Sequence, residues 1–340
     1  MSDSMIQIAG EGDGAFNCAS GDSILSAALR AGLSFPYECN SGGCGACRFE
    51  LVDGTVADQW PAAPGISERQ RARGGRLACQ SLPAGDCTIR IRLGAEEPPV
   101  RPARFMAKYA GSRALTADMA EFTFQGDAAA RFLPGQFAML DLPGLGSLRA
   151  YSMSNIANSA GIWQFIVKRV PGGQGTGVLF EALAAGDQVA IDGPYGNSYL
   201  RMDNDRPIVC IAGGSGLSPV MSIVRGIVQD RACEERRLLV FYGGRGPADL
   251  RAADVFESDA ELRERVELFT AISDPAAPGA DTWNGGRGMI HEVVRARLGE
   301  TMSAHEFYFC GPPAMTDAVH RMLLVEAGVP AGQLHFDRFY

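Results

Sequence analysis

Four cysteines carry the clearest chemical signal in this sequence. Cys39, Cys44 and Cys47 lie within nine positions of one another, and Cys79 follows at a distance. The spacing C-x4-C-x2-C with a remote fourth cysteine is the one used for plant-type 2Fe-2S ligation, in which four thiolates converge on two irons. Glycines between the cysteines allow a tight loop whose backbone N–H groups turn toward the sulfurs and disperse their negative charge. The sequence therefore predicts a metal centre held by these four side chains.

A zinc site is the alternative interpretation of the same cysteines. Zinc ribbons usually present two close cysteine pairs, whereas here three cysteines share one loop and the fourth stands alone. The iron–sulfur interpretation is therefore favoured. The nine cysteines of the chain are clustered and odd in number, unlike the paired spread of a secreted disulfide scaffold. Cys18 and Cys87 fall outside the pattern and are predicted to lie in a core.

A glycine-rich turn follows a continuous apolar segment in the C-terminal half. The segment Ile208–Ala212 is typical of a strand buried on both faces. After the turn, Ser218 and Pro219 are predicted to be the N-cap and the first residue of a helix. Exposed N–H groups and the helix dipole favour a pyrophosphate at such a turn, although Pro219 stands where the G-x-G-x-x-G fingerprint has its last glycine. The glycines of this candidate dinucleotide site are Gly213, Gly214 and Gly216.

Two further turns follow apolar strands in the same half of the chain. Tyr242–Arg245 comes after one strand and Cys310–Pro313 after another. The carboxyl ends of parallel strands meet at one edge of an open sheet, where ligands bind. The candidate nucleotide-binding residues at these two turns are Tyr242, Arg245, Cys310, Gly311 and Pro312.

Three segments of different pattern must position these candidates. Residues 1–95 combine short β-like runs with one amphipathic run, which predicts a small, β-grasp-like α+β domain. The proline-bearing residues 96–104 are typical of a linker. Residues 105–203 show short alternating strands separated by turns, which favour an antiparallel β-barrel. Residues 204–340 alternate strand, glycine turn and helix, which indicates a parallel α/β sheet.

The segment around the cysteines, FPYECNSGGCGACRFEL, resembles the ferredoxin domain of bacterial ring- and hydrocarbon-oxygenase reductases. The likeness extends over essentially the whole chain, including its end, HFDRFY. It points to the reductase component of toluene-type multicomponent di-iron monooxygenases, within the ferredoxin–NADP reductase superfamily. The resemblance implies one 2Fe-2S cluster, FAD and NADH as cofactors.

The same resemblance assigns a flavin site to the middle segment. Arg149–Asn155 is similar to the superfamily motif R-x-Y-S-x-x-N, in which the arginine pairs with a pyrophosphate oxygen and the tyrosine ring packs on the flavin. The serine hydroxyl would hydrogen-bond near the reactive flavin nitrogen. The loop Val170–Gly177 resembles a second pyrophosphate segment, with Lys168 and Thr176 as its main side chains. The predicted flavin-binding residues are Arg149, Ala150, Tyr151, Ser152, Ile166, Val167, Lys168, Gly173, Gly175, Thr176 and Tyr340.

The resemblance also implies which residues act in the reaction. In the family, the cysteine of the C-G-P-P turn lies near the reacting nicotinamide carbon, and this role falls to Cys310. A terminal aromatic residue, Phe339 or Tyr340, would lie against the flavin and yield before the nicotinamide stacks, although a frayed tail is the alternative. The predicted catalytic residues are Ser152, Cys310 and Tyr340.

The choice between NADH and NADPH depends on two residues with opposite charge. The predicted strand Leu268–Ile272 is followed by Asp274, whose carboxylate near the ribose would repel a 2′-phosphate. NADH is therefore favoured. Arg245 competes with this interpretation, because an arginine at that position can receive the phosphate instead.

The composition restricts the classes of partner. The chain has 31 Lys and Arg against 39 Asp and Glu, a net charge of −8, which argues against nucleic acid because phosphate binding requires clustered positive charge. No stretch approaches the ~20 apolar residues that cross a bilayer, and the first residues lack a targeting pattern. We therefore expect no nucleic-acid or membrane partner and a cytoplasmic location.

The three modules together predict an NADH:acceptor oxidoreductase. NADH supplies two electrons at once, the flavin accepts them, and the 2Fe-2S cluster passes them on singly to a protein acceptor. The expected acceptor is a Rieske-type ferredoxin or the di-iron hydroxylase of an aromatic or hydrocarbon monooxygenase. The same chemistry serving a Rieske dioxygenase is the nearer alternative, and a non-enzymatic iron–sulfur redox sensor is the more distant one.

A group of arginines precedes Cys79 and is a candidate docking surface. It would attract an acidic acceptor electrostatically, and a solvated helix face is the alternative. Its members are Arg69, Arg71, Arg73 and Arg76.

Overall fold

The computed structural model describes residues 3–10, 14–94 and 97–338. They divide into two units. The first unit contains the chain up to Arg104 together with Asp192–Gly196, and the second contains Phe105–Ile191 and the chain from Asn197 onward.

The first unit is built on a mixed sheet in the order β2-β1-β7-β3-β5, accompanied by a two-stranded sheet of β4 and β6. Strand β1 pairs in parallel with β7 and antiparallel with β2. Its strands are β1 (Ser4–Ile8), β2 (Gly14–Cys18), β3 (Arg48–Asp53), β4 (Val56–Asp58), β5 (Gly75–Leu77), β6 (Ser81–Pro83) and β7 (Cys87–Arg90). Its helices are α1 (Ile24–Arg30) and α2 (Glu68–Arg71).

Helix α1 covers the core of this unit. The side chain of Ser23 accepts a hydrogen bond from the Ser26 N–H and caps the helix, and all residues of α1 except Arg30 are buried. Ile6 and Ile89, on the parallel pair of strands, are fully buried. The predicted β-grasp-like α+β domain is confirmed.

The strands that follow form one antiparallel sheet in the order β11-β10-β13-β8-β9-β12. A bridge between Met153 and Phe165 joins the chain after β11 to β12, so the two edges of the sheet meet and the predicted barrel is confirmed. Aromatic side chains such as Phe122, Phe124 and Phe165 fill its interior. The elements are β8 (Ala103–Thr116), β9 (Met119–Gly126), β10 (Phe137–Asp141), β11 (Arg149–Ser152), β12 (Ile162–Lys168), α3 (Gln174–Gly177) and β13 (Gln188–Tyr195).

The last part of the chain forms a parallel sheet in the order β17-β16-β15-β14-β18-β19. The strands are β14 (Ile208–Gly213), β15 (Leu238–Gly244), β16 (Val266–Ile272), β17 (Gly286–Arg287), β18 (Glu306–Gly311) and β19 (Leu334–Arg338). The helices are α4 (Leu217–Gln229), α5 (Pro247–Leu250), α6 (Asp254–Ser258), α7 (Ala260–Arg265), α8 (Ile290–Leu298) and α9 (Pro313–His320).

Strand β14 lies at the centre of this sheet and is buried along its whole length. Ile208 and Cys210 join the core that contains α4, whereas Val209 and Ile211 join the core that contains α8. This explains why the strand is an uninterrupted apolar run. The chain order reverses between β14 and β18, which makes their carboxyl ends the switch point where open sheets bind ligands.

Helix α4 begins differently from the sequence prediction. The predicted N-cap at Ser218 and the predicted first helical residue Pro219 are both wrong, because Gly214–Gly216 forms a 3-10 turn that runs directly into a helix starting at Leu217. The buried Ser218 hydroxyl instead accepts from the Ile166 N–H (2.9 Å) and donates to the Ser152 carbonyl (2.7 Å). The residue thus joins α4 to two barrel strands.

A second serine, one turn further along α4, makes a similar link. The Ser222 hydroxyl accepts from the Gly135 N–H at 3.3 Å and donates to the Asn155 carbonyl at 2.6 Å. Ser222 is fully buried. Two polar backbone groups of the barrel therefore depend on one side chain of the neighbouring helix.

We expect Ser222→Ala to lower the stability of this unit by about 1–3 kcal/mol, because two buried backbone groups lose their partner. Differential scanning calorimetry of the purified protein would show a lower unfolding midpoint. The control is Ser258→Ala, whose hydroxyl bonds only to the Val255 carbonyl at the surface. Equal midpoints for both variants would contradict the expectation.

Candidate redox and nucleotide sites

The four cysteines come together in two pairs. The sulfurs of Cys47 and Cys79 lie 3.4 Å apart. The Cys39 sulfur accepts the Cys44 N–H at 3.4 Å, and the thiols of these two residues hydrogen-bond as well. The long loop after α1 carries the first three cysteines, and the 3-10 turn Ala78–Gln80 brings the fourth to them.

Backbone N–H groups point toward the sulfurs, as the glycine-rich sequence predicts. Ser41 also donates its N–H to the Cys39 sulfur, and Ala46 donates to the Cys44 sulfur, both at 3.4 Å. The hydrogen bonds from Cys44 and Ser41 lower the pKa of Cys39 to about 4. The same thiol–thiol bond raises the pKa of Cys44, so it is the backbone N–H groups of the loop that favour the thiolate form at both residues, and thiolate is the form that ligates metal.

The shape of the loop depends on glycine. Gly45 has φ +78°, and a β-carbon there would overlap the Gly65 carbonyl oxygen. Gly42 has φ +91°, and a β-carbon there would lie 3.1 Å from the ring of Trp60. Only glycine satisfies both the backbone conformation and the space at Gly45.

This arrangement fits a two-iron cluster. Two pairs of thiolates offer two ligands to each of two irons, and the inward N–H groups offset the negative charge of the sulfurs. Within residues 3–10, 14–94 and 97–338, no single point has three or more His, Cys, Asp or Glu side chains placed to hold one ion. Cys18 and Cys87 are buried core residues.

The predicted flavin residues of β11 meet helix α3 at Gly175. A β-carbon at Gly175 would lie 3.0 Å from the Tyr151 hydroxyl and 3.2 Å from Arg149 Cγ. Burial raises the pKa of Tyr151 to about 12. Arg149 makes only local hydrogen bonds, to Ser147 and Leu148, and has no carboxylate partner in the described part of the chain. Its guanidinium is therefore available to a phosphate.

Other predicted flavin residues have different surroundings. Ser152 is 6% exposed, and its hydroxyl, which reaches the surface, makes no hydrogen bond to the described residues, which suits a ligand contact. The Thr176 hydroxyl is turned into its own loop, where it bonds to Val170 and Gly173, the N-cap of α3. The side chains of Ile166 and Val167 point into the two adjoining cores, so only their backbone groups are available to a ligand. Ala150 is exposed on β11.

The glycine turn after β14 meets the end of β18, as predicted. A β-carbon at Gly216 would overlap the Cys310 carbonyl oxygen, and one at Gly213 would lie 2.6 Å from the Met315 sulfur. Gly311 has φ +154° and also leaves no room for a side chain beside Gly213. The two strand ends thus approach closely and leave backbone groups at the switch point, where a dinucleotide pyrophosphate fits.

The remaining nucleotide candidates surround this crevice. Tyr242 is fully buried, and its hydroxyl donates to the Gly214 carbonyl at 3.3 Å, which supports the turn from beneath. Arg245 is exposed at the end of β15, and Pro312 is exposed at the start of α9. Cys310 is 4% exposed, and burial raises the pKa of its thiol far above the ordinary value. Phe339 and Tyr340 lie outside the described residues.

Two carboxylates near these residues were not predicted. Asp249 accepts a hydrogen bond from Lys168 at 3.0 Å, and Asp118 lies 3.3 Å from the same ammonium group. The predicted phosphate ligand Lys168 is therefore ion-paired with two carboxylates. A lysine at the end of one strand pairs with partners far away in sequence, so no local pattern could have revealed them.

Models of known protein families match all three parts of the chain. The 2Fe-2S iron-sulfur cluster binding domain matches residues 7–84, the oxidoreductase FAD-binding domain 108–199 and the oxidoreductase NAD-binding domain 210–321. A ferredoxin–NAD(P)(+) reductase of Metapseudomonas resinovorans is 42% identical over 340 residues, which cover 99% of this chain and 100% of the relative. This chain belongs to the ferredoxin–NAD(P)(+) reductases.

Two further similarities extend this assignment. The ferredoxin–NAD(+) reductase component of the alkene monooxygenase system of Xanthobacter autotrophicus is 40% identical, over 95% of this chain and 97% of the relative. The solved structure of the ferredoxin reductase in carbazole 1,9a-dioxygenase is 38% identical and superposes with a TM-score of 0.90 over the full length of both chains. The predicted oxidoreductase class, fold class and cofactors (2Fe-2S, FAD and NAD) are confirmed.

None of the helices in the described residues is both long and apolar enough to cross a lipid bilayer.

The geometry of the cysteine loop leads to a direct test. We expect Gly45→Ala to lower the iron and acid-labile sulfide content of the purified protein, because the β-carbon would push the loop away from Gly65. The FAD content should stay unchanged. Gly21→Ala is the matched control, since Gly21 has a similar φ of +89° but nothing within 4 Å of a β-carbon. Equal iron loss in both variants would show that backbone conformation alone, and not the close approach, is responsible.

Proposed function

We propose that this reductase oxidises NADH and delivers single electrons to the protein acceptor of a multicomponent oxygenase that acts on aromatic or hydrocarbon substrates. The observation that carries the proposal is that one chain contains three sites. Paired cysteine thiols lie in a glycine-rich loop, and a crevice suited to a dinucleotide lies beside the barrel. The barrel itself offers Arg149 and Ser152, whose side chains are available to a ligand. The 2Fe-2S cluster and FAD, when bound, together supply the change from two-electron to one-electron transfer.

The residues of the barrel would bind and orient the flavin. The guanidinium of Arg149 would hold the pyrophosphate, and the ring of Tyr151 would cover the flavin beside Gly175. The free hydroxyl of Ser152 would hydrogen-bond to the ring system. Because Ser218 fixes the Ser152 carbonyl, the position of this hydroxyl is tied to helix α4.

The residues of the parallel sheet would bind the nicotinamide dinucleotide. The turn Gly213–Gly216 would receive the pyrophosphate, with Tyr242 supporting it. Cys310 and Gly311 would form the wall at the nicotinamide end, where the buried, protonated Cys310 thiol offers a small polar surface and excludes water. Proton transfer by an acidic or basic side chain is not part of this proposal.

We expect the purified protein to be yellow-brown, with about two irons and one FAD per chain. Addition of NADH without oxygen should bleach both the flavin and the iron–sulfur absorbance. A colourless protein, or one that carries zinc in place of iron, would overturn the proposed function. A protein whose spectrum NADH does not change would overturn it too.

The acceptor class is the finer part of the proposal. We favour the ferredoxin or di-iron hydroxylase of a monooxygenase, because a relative that is 40% identical belongs to an alkene monooxygenase system. A Rieske dioxygenase acceptor is the second candidate, because of the similarity to the carbazole 1,9a-dioxygenase reductase. Reconstitution with a representative of each acceptor class would separate the two.

The candidate docking arginines differ in their surroundings. Arg71 is ion-paired with Asp58 and bonds to the Trp60 carbonyl, so it belongs to the fold of the first unit. Arg69 and Arg73 are exposed. Helix α2, which carries Arg69, starts three residues after Gly65, whose N–H bonds to the Gly42 carbonyl of the cysteine loop. We propose that Arg69 and Arg73 steer an acidic acceptor toward this loop.

We expect the double change Arg69→Glu and Arg73→Glu to slow electron delivery to the acceptor by about tenfold at low salt and less at high salt. Reduction of ferricyanide with NADH should not change. Arg131→Glu with Arg251→Glu is the control, because it makes the same change of net charge at exposed arginines of the second unit. If both double variants deliver electrons at the same rate, steering by this surface is excluded.

A further inference from the structure

One carboxylate holds both cations that face the nucleotide crevice. Asp249 lies in α5, directly after β15. Its Oδ1 accepts from the Lys168 ammonium at 3.0 Å. Its Oδ2 accepts from the Arg245 backbone N–H at 2.9 Å and from the Arg245 Nε at 3.3 Å. The side chain of Asp249 is 17% exposed, so these bonds are partly shielded from water.

This network lies at the crevice and not elsewhere on the surface. A β-carbon at Gly214, in the glycine turn, would lie 3.7 Å from Lys168 Cδ, so the lysine stem runs over the turn. The Asp249 Cβ backs onto Gly244, the last residue of β15, where a β-carbon would come within 2.8 Å. The contact with Lys168 on one side and the packing against Gly244 on the other therefore place the Asp249 carboxylate at the edge of the crevice.

Carboxylates outnumber cations at this edge. Lys168 and Arg245 contribute two positive charges, whereas Asp249 and Asp118 contribute two negative ones. The exposed Asp274 adds another carboxylate beside them, because its N–H bonds to the Arg245 carbonyl at 2.9 Å. Although burial works in the opposite direction, the bonds from Arg245 and Lys168 keep the pKa of Asp249 below its ordinary value.

A 2′-phosphate on the adenine ribose would need a free cation at this point. Proteins recognise phosphate largely through guanidinium and ammonium groups, and a carboxylate beside such a group offsets its attraction for the phosphate. Arg245 is the exposed cation in this network, with 75% of its side chain accessible, but its Nε and N–H face Asp249. NADH, which has two free ribose hydroxyls there, needs no such cation.

We propose that Asp249 determines the preference for NADH over NADPH, by placing its carboxylate against Lys168 and the Nε of Arg245 so that their positive charge is offset where a 2′-phosphate would lie. The proposal rests on the proposed function, in which this crevice binds a nicotinamide dinucleotide. It differs from the sequence-based expectation, in which Asp274 alone repels the phosphate. Asp249 acts here as a specificity-determining residue through the two cations it holds.

The test is Asp249→Asn in the full-length holoprotein, measured in two ways. Calorimetry gives the affinity for adenosine 2′,5′-bisphosphate and for 5′-AMP, which does not depend on electron transfer. Steady-state reduction of ferricyanide gives kcat/KM for NADPH and for NADH. We expect the bisphosphate to bind about tenfold tighter relative to 5′-AMP, the effect of roughly one charge-assisted hydrogen bond, and the NADPH/NADH ratio of kcat/KM to rise by a similar factor.

Asp118→Asn is the matched control, because it removes one carboxylate from Lys168 but does not contact Arg245. We expect it to change either ratio by less than threefold. Adding Arg245→Ala to Asp249→Asn should abolish the gain for the bisphosphate. Asp249→Ser repeats the test if the asparagine variant does not fold.

Two results would overturn the proposal: unchanged ratios in the Asp249 variants, or equal gains in the Asp118 and Asp249 variants, which would indicate net charge alone. Failure of the proposed function would look different. The unchanged protein would then oxidise neither NADH nor NADPH, whatever the variants do.

Discussion

The nucleotide crevice depends on how closely two strand ends approach. The backbone at Gly216 lies against the Cys310 carbonyl so tightly that no side chain fits between them, and Gly311 packs against Gly213 in the same way. A side chain at either place would separate β14 from β18 at the switch point of the sheet. The cysteine loop obeys the same constraint at Gly45 and Gly65. The nucleotide crevice and the cysteine loop are thus both formed by backbone segments in close contact, and glycine allows this contact because it has no side chain.

Helix α4 transmits this geometry to the barrel. The glycine turn leads straight into α4, and two buried serines of that helix bond to backbone groups of the barrel. Arg225 adds a third link through the Ser154 carbonyl, and Glu121, which accepts from the Ser154 hydroxyl, lies 3.6 Å from the same arginine. All of these groups except the half-buried Arg225 are buried, so leaving one of them unpaired costs free energy. The polar links therefore specify one arrangement of helix and barrel, which holds Ser152 in a defined place relative to the nucleotide turn.

The sequence predicts the parts of the sites that the spacing of a few residues, or the composition of a short segment, determines directly. Three of the four candidate cysteine ligands share one loop, so their spacing predicts a cluster, and the apolar run Ile208–Ala212 predicts a strand buried on both faces, which the structure contains. The sequence is less informative where a side chain chooses among distant partners. Lys168 and Asp249 are 81 residues apart, and Ser218 resembles an N-cap by position but bonds across to another element. Thr176 is a different case, because its hydroxyl bonds to nearby residues of its own loop, Val170 and Gly173, where a ligand contact was predicted.

The charged groups at the crevice have a further physical consequence. The half-buried Lys168 is stabilised by a counterion before any ligand arrives, because an unpaired charge away from water is costly. Asp249 and Asp118 fill this role for Lys168. A dinucleotide pyrophosphate that approaches the turn meets a lysine already neutralised, so its binding must come from the backbone N–H groups of the glycine turn more than from net charge. Asp249 differs from Asp118 in that it also contacts Arg245, so of the two carboxylates it is the one that can limit the binding of a 2′-phosphate at this edge.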